Sequence, residues 1–319
     1  MKPTRRLYAK GKTKPGTHIP VLLNETLGCL DPKPGRVVVD CTLGFGGHAK
    51  EFIKRIAPDG VFVGLDVDES ELNRTKKRLK CGNITAHFVR ANFSNIRQVL
   101  SDLDIEACDI ILADIGVSSM QVDNACRGIS YKADGPLDMK MDDRLELTGA
   151  DLLRTLSAQQ LSEALWNLSD EPDHEIISQM IVGQRISKPI TTVAELTRLV
   201  FNAKGLTERT WKKQQKQSDF GSLHPAARTF QTLRILVNDE IGSLEKLLSA
   251  APDCLKPGGR VGIISFHSTE DRAVKNNFKQ NYDTGIYSSV SQNPITPSAR
   301  EIMQNPRSAS AKFRYAVKA

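Results

Sequence analysis

The β-branched run Arg36-Val37-Val38-Val39-Asp40-Cys41 ends in an acid and passes straight into Thr42-Leu43-Gly44-Phe45-Gly46-Gly47-His48. A short apolar run after a Pro-Gly turn reads as a buried strand. The glycines that follow permit positive φ and a close approach of the backbone to a ligand. A helix expected to open near Gly47 would aim its unpaired N–H groups at that ligand. This strand, glycine loop and helix commit the chain to an α/β architecture with a ligand beyond the carboxyl ends of the strands.

The alternation continues downstream. Val61 to Asp66 reads as a second buried strand, Glu69 to Lys80 as a charged helix, Ala86 to Arg90 as a third strand and Asp109 to Asp114 as a fourth. Apolar strands separated by helices imply a parallel sheet covered on both faces. Then the alternation stops. The next strand expected is Arg260 to Ser265, behind a long helix over roughly Ala227 to Leu255 and a Lys-Pro-Gly-Gly turn. The intervening residues are helix-like at Ala150 to Leu168, Glu175 to Arg185 and Thr192 to Asn202, and far exceed the dozen or so of a plain crossover. They suggest a helical domain at 121–223 inserted into a sheet domain made of 1–120 and 224–319. The tail Lys312 to Lys318 alternates and fits a final edge strand.

A net charge of +7 favours a polyanionic partner such as nucleic acid. Lys2, Arg5, Arg6, Lys10, Lys12 and Lys14 crowd the N-terminus, and Lys204, Arg209, Lys212, Lys213 and Lys216 surround Trp211. Solvated surface explains each run equally well. The six cysteines form no CxxC pair or zinc spacing, so free thiols, a reducing compartment and no metal are expected. No apolar stretch has the length of a membrane span, and the basic N-terminus has no signal-peptide core.

Gly44, Gly46 and Ala49 also satisfy the dinucleotide pattern G-x-G-x-x-A. Here an acid and three residues separate strand from first glycine, the layout of S-adenosylmethionine enzymes. Asp66, twenty residues past Gly46, is placed to accept ribose hydroxyls. Phe93 could cover an adenine or belong to the core. Asp114-Ile115-Gly116-Val117-Ser118-Ser119 puts an acid at the end of the fourth strand, near the reactive end of a cofactor. His224 to Arg234 begins a helix on which Phe230, Arg234 and Asn238 share a face that offers an aromatic ring and a guanidinium to bases and phosphates. Ser265-Phe266-His267-Ser268-Thr269-Glu270-Asp271 combines a histidine at the sheet's carboxyl edge with helix-capping chemistry, Ser268 and Asp271 coming close to a capping box.

Together DCTLGFGGH, ADIGVSS, DGPLDMKMD, HPAARTFQTLRILVNDE and SFHSTEDRAVK, from about His18 to the end, resemble the bacterial 16S ribosomal RNA (cytosine-N4) methyltransferases, the RsmH or MraW family. The resemblance implies a class I S-adenosylmethionine-dependent methyltransferase fold, Rossmann-like with a mostly parallel sheet, and an inserted all-helical substrate domain. It implies N4-methylation of a cytidine in the decoding region of small-subunit RNA, in the cytoplasm, with S-adenosyl-L-methionine as donor. It places Gly46, Gly47, His48, Asp66, Phe93, Asp114 and Gln121 at the cofactor, to which the strand and glycine-loop motif adds Asp40 and Gly44. It places Asp114, Ser118, Ser119 and His267 at the reacting atoms and Asp138, His224 and Arg228 at the RNA, to which the helical face described above adds Phe230 and Arg234. A homodimer is left open. Leu168 to His174 departs from the family's usual Tyr-Gly-Glu-Glu, and Met120 stands where proline is common. A nicotinamide oxidoreductase, a non-catalytic RNA-binding factor and a methyltransferase of other substrates are the rival readings of the bare residues.

Overall fold

The computed structural model describes residues 19–117, 122, 124–217 and 223–319. In chain order the elements are α1 (Leu23–Leu30), β1 (Val37–Asp40), α2 (Gly47–Ile56), β2 (Val61–Asp66), α3 (Glu69–Arg78), β3 (Thr85–Arg90), α4 (Ile96–Asp102) and β4 (Cys108–Asp114). Then come α5 (Gly149–Thr155), α6 (Ala158–Ser169), α7 (His174–Ser187), α8 (Val193–Ala203), α9 (Glu208–Gln217), α10 (Ala227–Asn238) and α11 (Glu240–Cys254). The chain ends with β5 (Leu255–Ser265), α12 (Ser268–Asp283), β6 (Tyr287–Val290), α13 (Ala299–Gln304) and β7 (Lys312–Lys318). These residues form two compact units, one from the described residues up to Gly116 together with Gly242–Ala319, the other Val117–Ile241.

The first unit is a seven-stranded sheet of order β3-β2-β1-β4-β5-β7-β6. The first five strands are parallel, and β7 runs antiparallel to both β5 and β6. Successive residues of the central strands point to opposite faces, and both faces are covered. Val39, Val63, Ile111 and Val261 pack under α4, α11 and α12; Val38, Phe62, Ile110 and Ile264 pack under α1, α2 and α3. This double coverage is why these strands read as unbroken apolar runs. The fold is the class I S-adenosylmethionine-dependent methyltransferase arrangement that the motifs imply.

Four expectations change in detail. The tail strand forms as β7, but it is not at the edge: β6 covers it, anchored by Tyr287, which packs edge-on against Phe278. β5 begins at Leu255 rather than Arg260, with a register shift against β4 that absorbs the Pro-Gly-Gly. The long helix breaks at Asp239, whose φ of 46° ends α10 before α11 begins. The helix expected over Ala150 to Leu168 is two, because Ser157 and Gln160 form a capping box that starts α6 afresh.

The second unit buries its own core, in which Leu161, Ile181, Leu196 and Leu233 pack with Leu137 and Met139. The Asp138–Met141 loop is fastened to α10. Asn238 donates to the Met139 carbonyl at 2.9 Å, and its side-chain oxygen accepts the Met141 N–H at 2.7 Å. A segment that looks like a bare turn by composition is thus held by a side chain nearly a hundred residues on.

Candidate active site

Three carboxylates stand at the carboxyl ends of β1, β2 and β4. Asp66 holds the glycine loop from below: its Oδ2 accepts the Gly44 N–H at 2.8 Å and its Oδ1 the Asp68 N–H at 2.9 Å. Burial pushes its pKa up to about 6 despite those hydrogen bonds. Asp40 is buried at the end of β1; its Oδ1 accepts the Thr42 N–H at 3.1 Å. Burial first, and the charge of Asp66 second, raise its pKa to about 7.

Asp114 ends β4. Its own N–H donates to Thr42 Oγ1 at 2.7 Å, so the glycine-loop threonine fixes the backbone there. Burial, then the charges of Asp40 and Glu270, raise its pKa to about 7. Its Oδ1 is sealed from solvent and has no hydrogen-bond partner among the described residues. His48, buried at the start of α2, points Nδ1 at Asp114 Oδ2 from 4.0 Å, while its Nε2 lies 3.0 Å from the Val21 carbonyl. A ring whose Nε2 donates to that carbonyl presents a bare Nδ1 lone pair to Asp114 in its neutral form.

The glycine loop has its shape for a local reason. Gly46 has a φ of 77°, and a β-carbon on it would lie 2.7 Å from Thr75 Cγ2. Thr75 donates to the Gly44 carbonyl at 2.6 Å; Arg78 donates to the Phe45 carbonyl at 2.7 Å and lies over the Phe45 ring. Thr75 and Arg78 share one face of α3 at i, i+3 spacing. That spacing is the only hint the sequence carries of this clamp. Gly47 begins α2 against Pro20, and Phe93 opens a short turn of 3₁₀ helix, half-buried against the sheet core.

Beyond β5 the capping differs from expectation by one residue. His267, not Ser268, caps α12: its Nδ1 accepts the Glu270 N–H, and Glu270 reaches back to the N–H groups of Phe266 and His267. Glu270 is nearly fully buried, and its Oε1 lies 3.0 Å from His267 Nε2. It is the residue the motif reading passed over. A Glu three residues past a histidine cap was the available signal.

On the helical unit the picture is mixed. His224 stacks on Tyr131, with centroids 4.0 Å apart and planes within 5°, and meets Phe201 and Trp211 edge-on. Burial lowers its pKa, which favours the neutral ring. Arg228 donates to the Asp170 carbonyl at 2.7 Å, and Asp138 turns its carboxylate onto the Lys140 N–H. Two expectations are corrected. Phe230 is 2% exposed, inside the helical core and edge-on to Tyr131, and so offers no face to a base. Arg234 is bound by both arms to Glu240 at 2.8 and 2.9 Å. The face they share with Asn238 fastens the unit internally. The basic run around Trp211 is also thinner than its count, because Lys204 is taken up by Glu171 and Asp173, and Lys212 by Glu208. Ser118, Ser119 and Gln121 lie outside the described residues, as does the basic N-terminal run. Among the described residues no helix is long and apolar enough to cross a membrane.

Residues 16–319 match the MraW methylase family. The chain is 39% identical over 316 residues to the ribosomal RNA small subunit methyltransferase H of Clostridioides difficile, covering 94% of this chain and 98% of that one. It is 41% identical over 317 residues to the protein of the same name from Carboxydothermus hydrogenoformans, covering 95% and 98%.

Proposed function

This chain belongs to the MraW methylase family, and on that premise we propose that it methylates N4 of a cytidine in the decoding region of 16S ribosomal RNA, with S-adenosyl-L-methionine as donor. The observation that carries the chemistry is the buried Oδ1 of Asp114, which has no hydrogen-bond partner among the described residues. A buried polar atom without a partner costs about 1–3 kcal/mol. Such an atom at the carboxyl edge of the sheet is a place prepared for a donor from outside the chain.

The residues present fit the donor. Gly46, packed against Thr75, sets the shape of the glycine loop, and Asp66 retains acceptor capacity beyond its two backbone hydrogen bonds for ribose hydroxyls. Asp40, Gly44, Gly47, His48 and Phe93 complete the cofactor side. When bound, S-adenosyl-L-methionine supplies a methyl already activated by its sulfonium, so the acceptor nitrogen is the difficulty. The lone pair of a cytosine amino group is shared with the ring. Asp114 accepts one of its N–H groups, which holds the nitrogen in line and favours its pyramidal form. A carboxyl with a pKa of about 7 is matched to taking the proton released as the C–N bond forms. Glu270 and the His267 cap hold the neighbouring turn. The target base is unpaired or flipped out of its stack to reach the site. The helical unit carries substrate recognition, with Asp138, His224 and Arg228 on the RNA side, and the enzyme works in the cytoplasm on RNA of the small subunit.

The test is incubation with labelled S-adenosyl-L-methionine and small ribosomal subunits from cells without the enzyme, followed by digestion to nucleosides. Label in N4-methylcytidine is expected. Label in another nucleoside, or none with cofactor binding intact, refutes the reading.

A further inference from the structure

A cavity of about 400 Å³ opens in the helical unit, lined by the loop at Tyr131, by α8 and by the turn into α9. That volume falls in the range of small-molecule sites. Tyr131 and Phe201 give it an aromatic wall. Tyr131 is held rigid by its stack on His224. Thr197 lines the cavity too, and its Oγ1 is sealed from solvent with no hydrogen-bond partner among the described residues. Lys132 and Arg198 stand exposed on the rim. Neither side chain has an ion pair among the described residues, and neither does the amide of Asn202 beside them have a hydrogen bond there. The two acids on the lining are already engaged: Asp134 accepts the N–H groups of Gly135 and Ala194, and Glu208 pairs with Lys212.

An aromatic platform, a hydroxyl in want of a partner, an exposed amide and two exposed cations outside any ion pair match the parts of one nucleotide. Bases of unpaired RNA stack on aromatic side chains and offer their edges to polar groups, while Lys and Arg take the phosphate. We propose that this cavity holds one nucleotide of single-stranded RNA other than the methylated cytidine, its base against Tyr131 and within reach of Thr197, its phosphate between Lys132 and Arg198. None of Asp40, Asp66 and Asp114 lines the cavity. The inference rests on the reading of the chain as an RNA methyltransferase, but its test is separable from that reading.

The full chain is titrated by calorimetry with cytidine 5′-monophosphate, adenosine 5′-monophosphate and inorganic phosphate. It is titrated by fluorescence anisotropy with a labelled single-stranded oligoribonucleotide. Wild type, Thr197→Val and Arg198→Gln are compared. Mononucleotides bind, and phosphate alone binds at least tenfold more weakly. Each variant weakens both mononucleotide and oligonucleotide binding at least fivefold, with melting temperature and S-adenosyl-L-methionine affinity unchanged. Arg198→Gln also lowers the slope of log affinity against log salt by about 1. Wild-type binding by both variants overturns the proposal. So does a loss confined to the mononucleotides, which assigns the cavity to a free nucleotide. If the expected losses are seen but no N4-methylcytidine forms, the cavity stands and the proposed reaction falls.

Discussion

Glu171 is a fully buried carboxylate and Asp114 a mostly buried one, one in each unit, and they differ in what answers their charge. Glu171 is fully buried, and its Oε1 lies 2.5 Å from the ammonium of Lys204, which also reaches Asp173 at 3.0 Å. Asp114 has no lysine or arginine beside it among the described residues; its nearest basic group is His48, at 4.0 Å. One oxygen of each carboxylate has no hydrogen bond among the described residues, so hydrogen bonding alone does not separate them. The cation does. A buried charge that the chain neutralises itself is part of the architecture. A mostly buried acid left without a cation, at the edge of a sheet where ligands sit, is held ready for something that the chain does not contain.

The comparison breaks most visibly at Lys204. Lys204→Met leaves Glu171 buried without its cation and is expected to cost about 3–5 kcal/mol of stability, read from urea unfolding. Asp114→Asn is the mirror experiment. It removes a carboxyl that resists ionisation, so at pH 8 it is expected to leave the melting temperature unchanged or higher. Equal losses from the two substitutions would erase the distinction.

A second consequence concerns pH. Asp40 and Asp114 have folded pKa values of about 7 and Asp66 of about 6, all raised from 3.8. The folded chain therefore holds protons on these groups that the unfolded chain releases, and their contribution to stability is largest below pH 4 and declines as pH rises to about 7. A cationic donor reverses that preference by favouring the ionised acids. Affinity for S-adenosyl-L-methionine is expected to rise about tenfold between pH 5.5 and 7.5, with protons released on binding, measured by calorimetry in buffers of different ionisation enthalpy. A flat profile would mean that these acids do not face the cofactor's charge.

The smallest expected effect is at Glu270. Glu270→Gln retains the cap shape but removes one of the charges that raise Asp114. Stability is expected to change by about 1 kcal/mol or less, while the acid limb of the pH–rate profile moves to lower pH. A purely structural Glu270 would leave that limb in place.

The acids were legible because each ends a strand whose apolar run is unbroken: VVVD, VFVGLD and CDIILAD announce both the strand and the residue at its tip. The glycine loop was legible for the same local reason. Its clamp by Thr75 and Arg78 was not, because a helix period shows which residues share a face but not what that face meets. The same limit produced the error at Phe230 and Arg234, where a correctly identified face turned inward to the helical core and to Glu240. β6 was missed because Tyr-Ser-Ser-Val carries one buried anchor and no alternation. Ser157 and Asp239 split helices through a cap and a positive φ, neither of which disturbs the apolar pattern around them.

The most direct test of the account is single-turnover methyl transfer to small-subunit RNA by Asp114→Asn, with S-adenosyl-L-methionine affinity measured on the same preparation. Loss of an acceptor that acts on the amino nitrogen predicts a rate lower by about 10²–10⁴-fold, with cofactor affinity within a fewfold of wild type. A near-normal rate, or a loss of rate explained wholly by lost cofactor affinity, would contradict the assignment of the chemistry to Asp114.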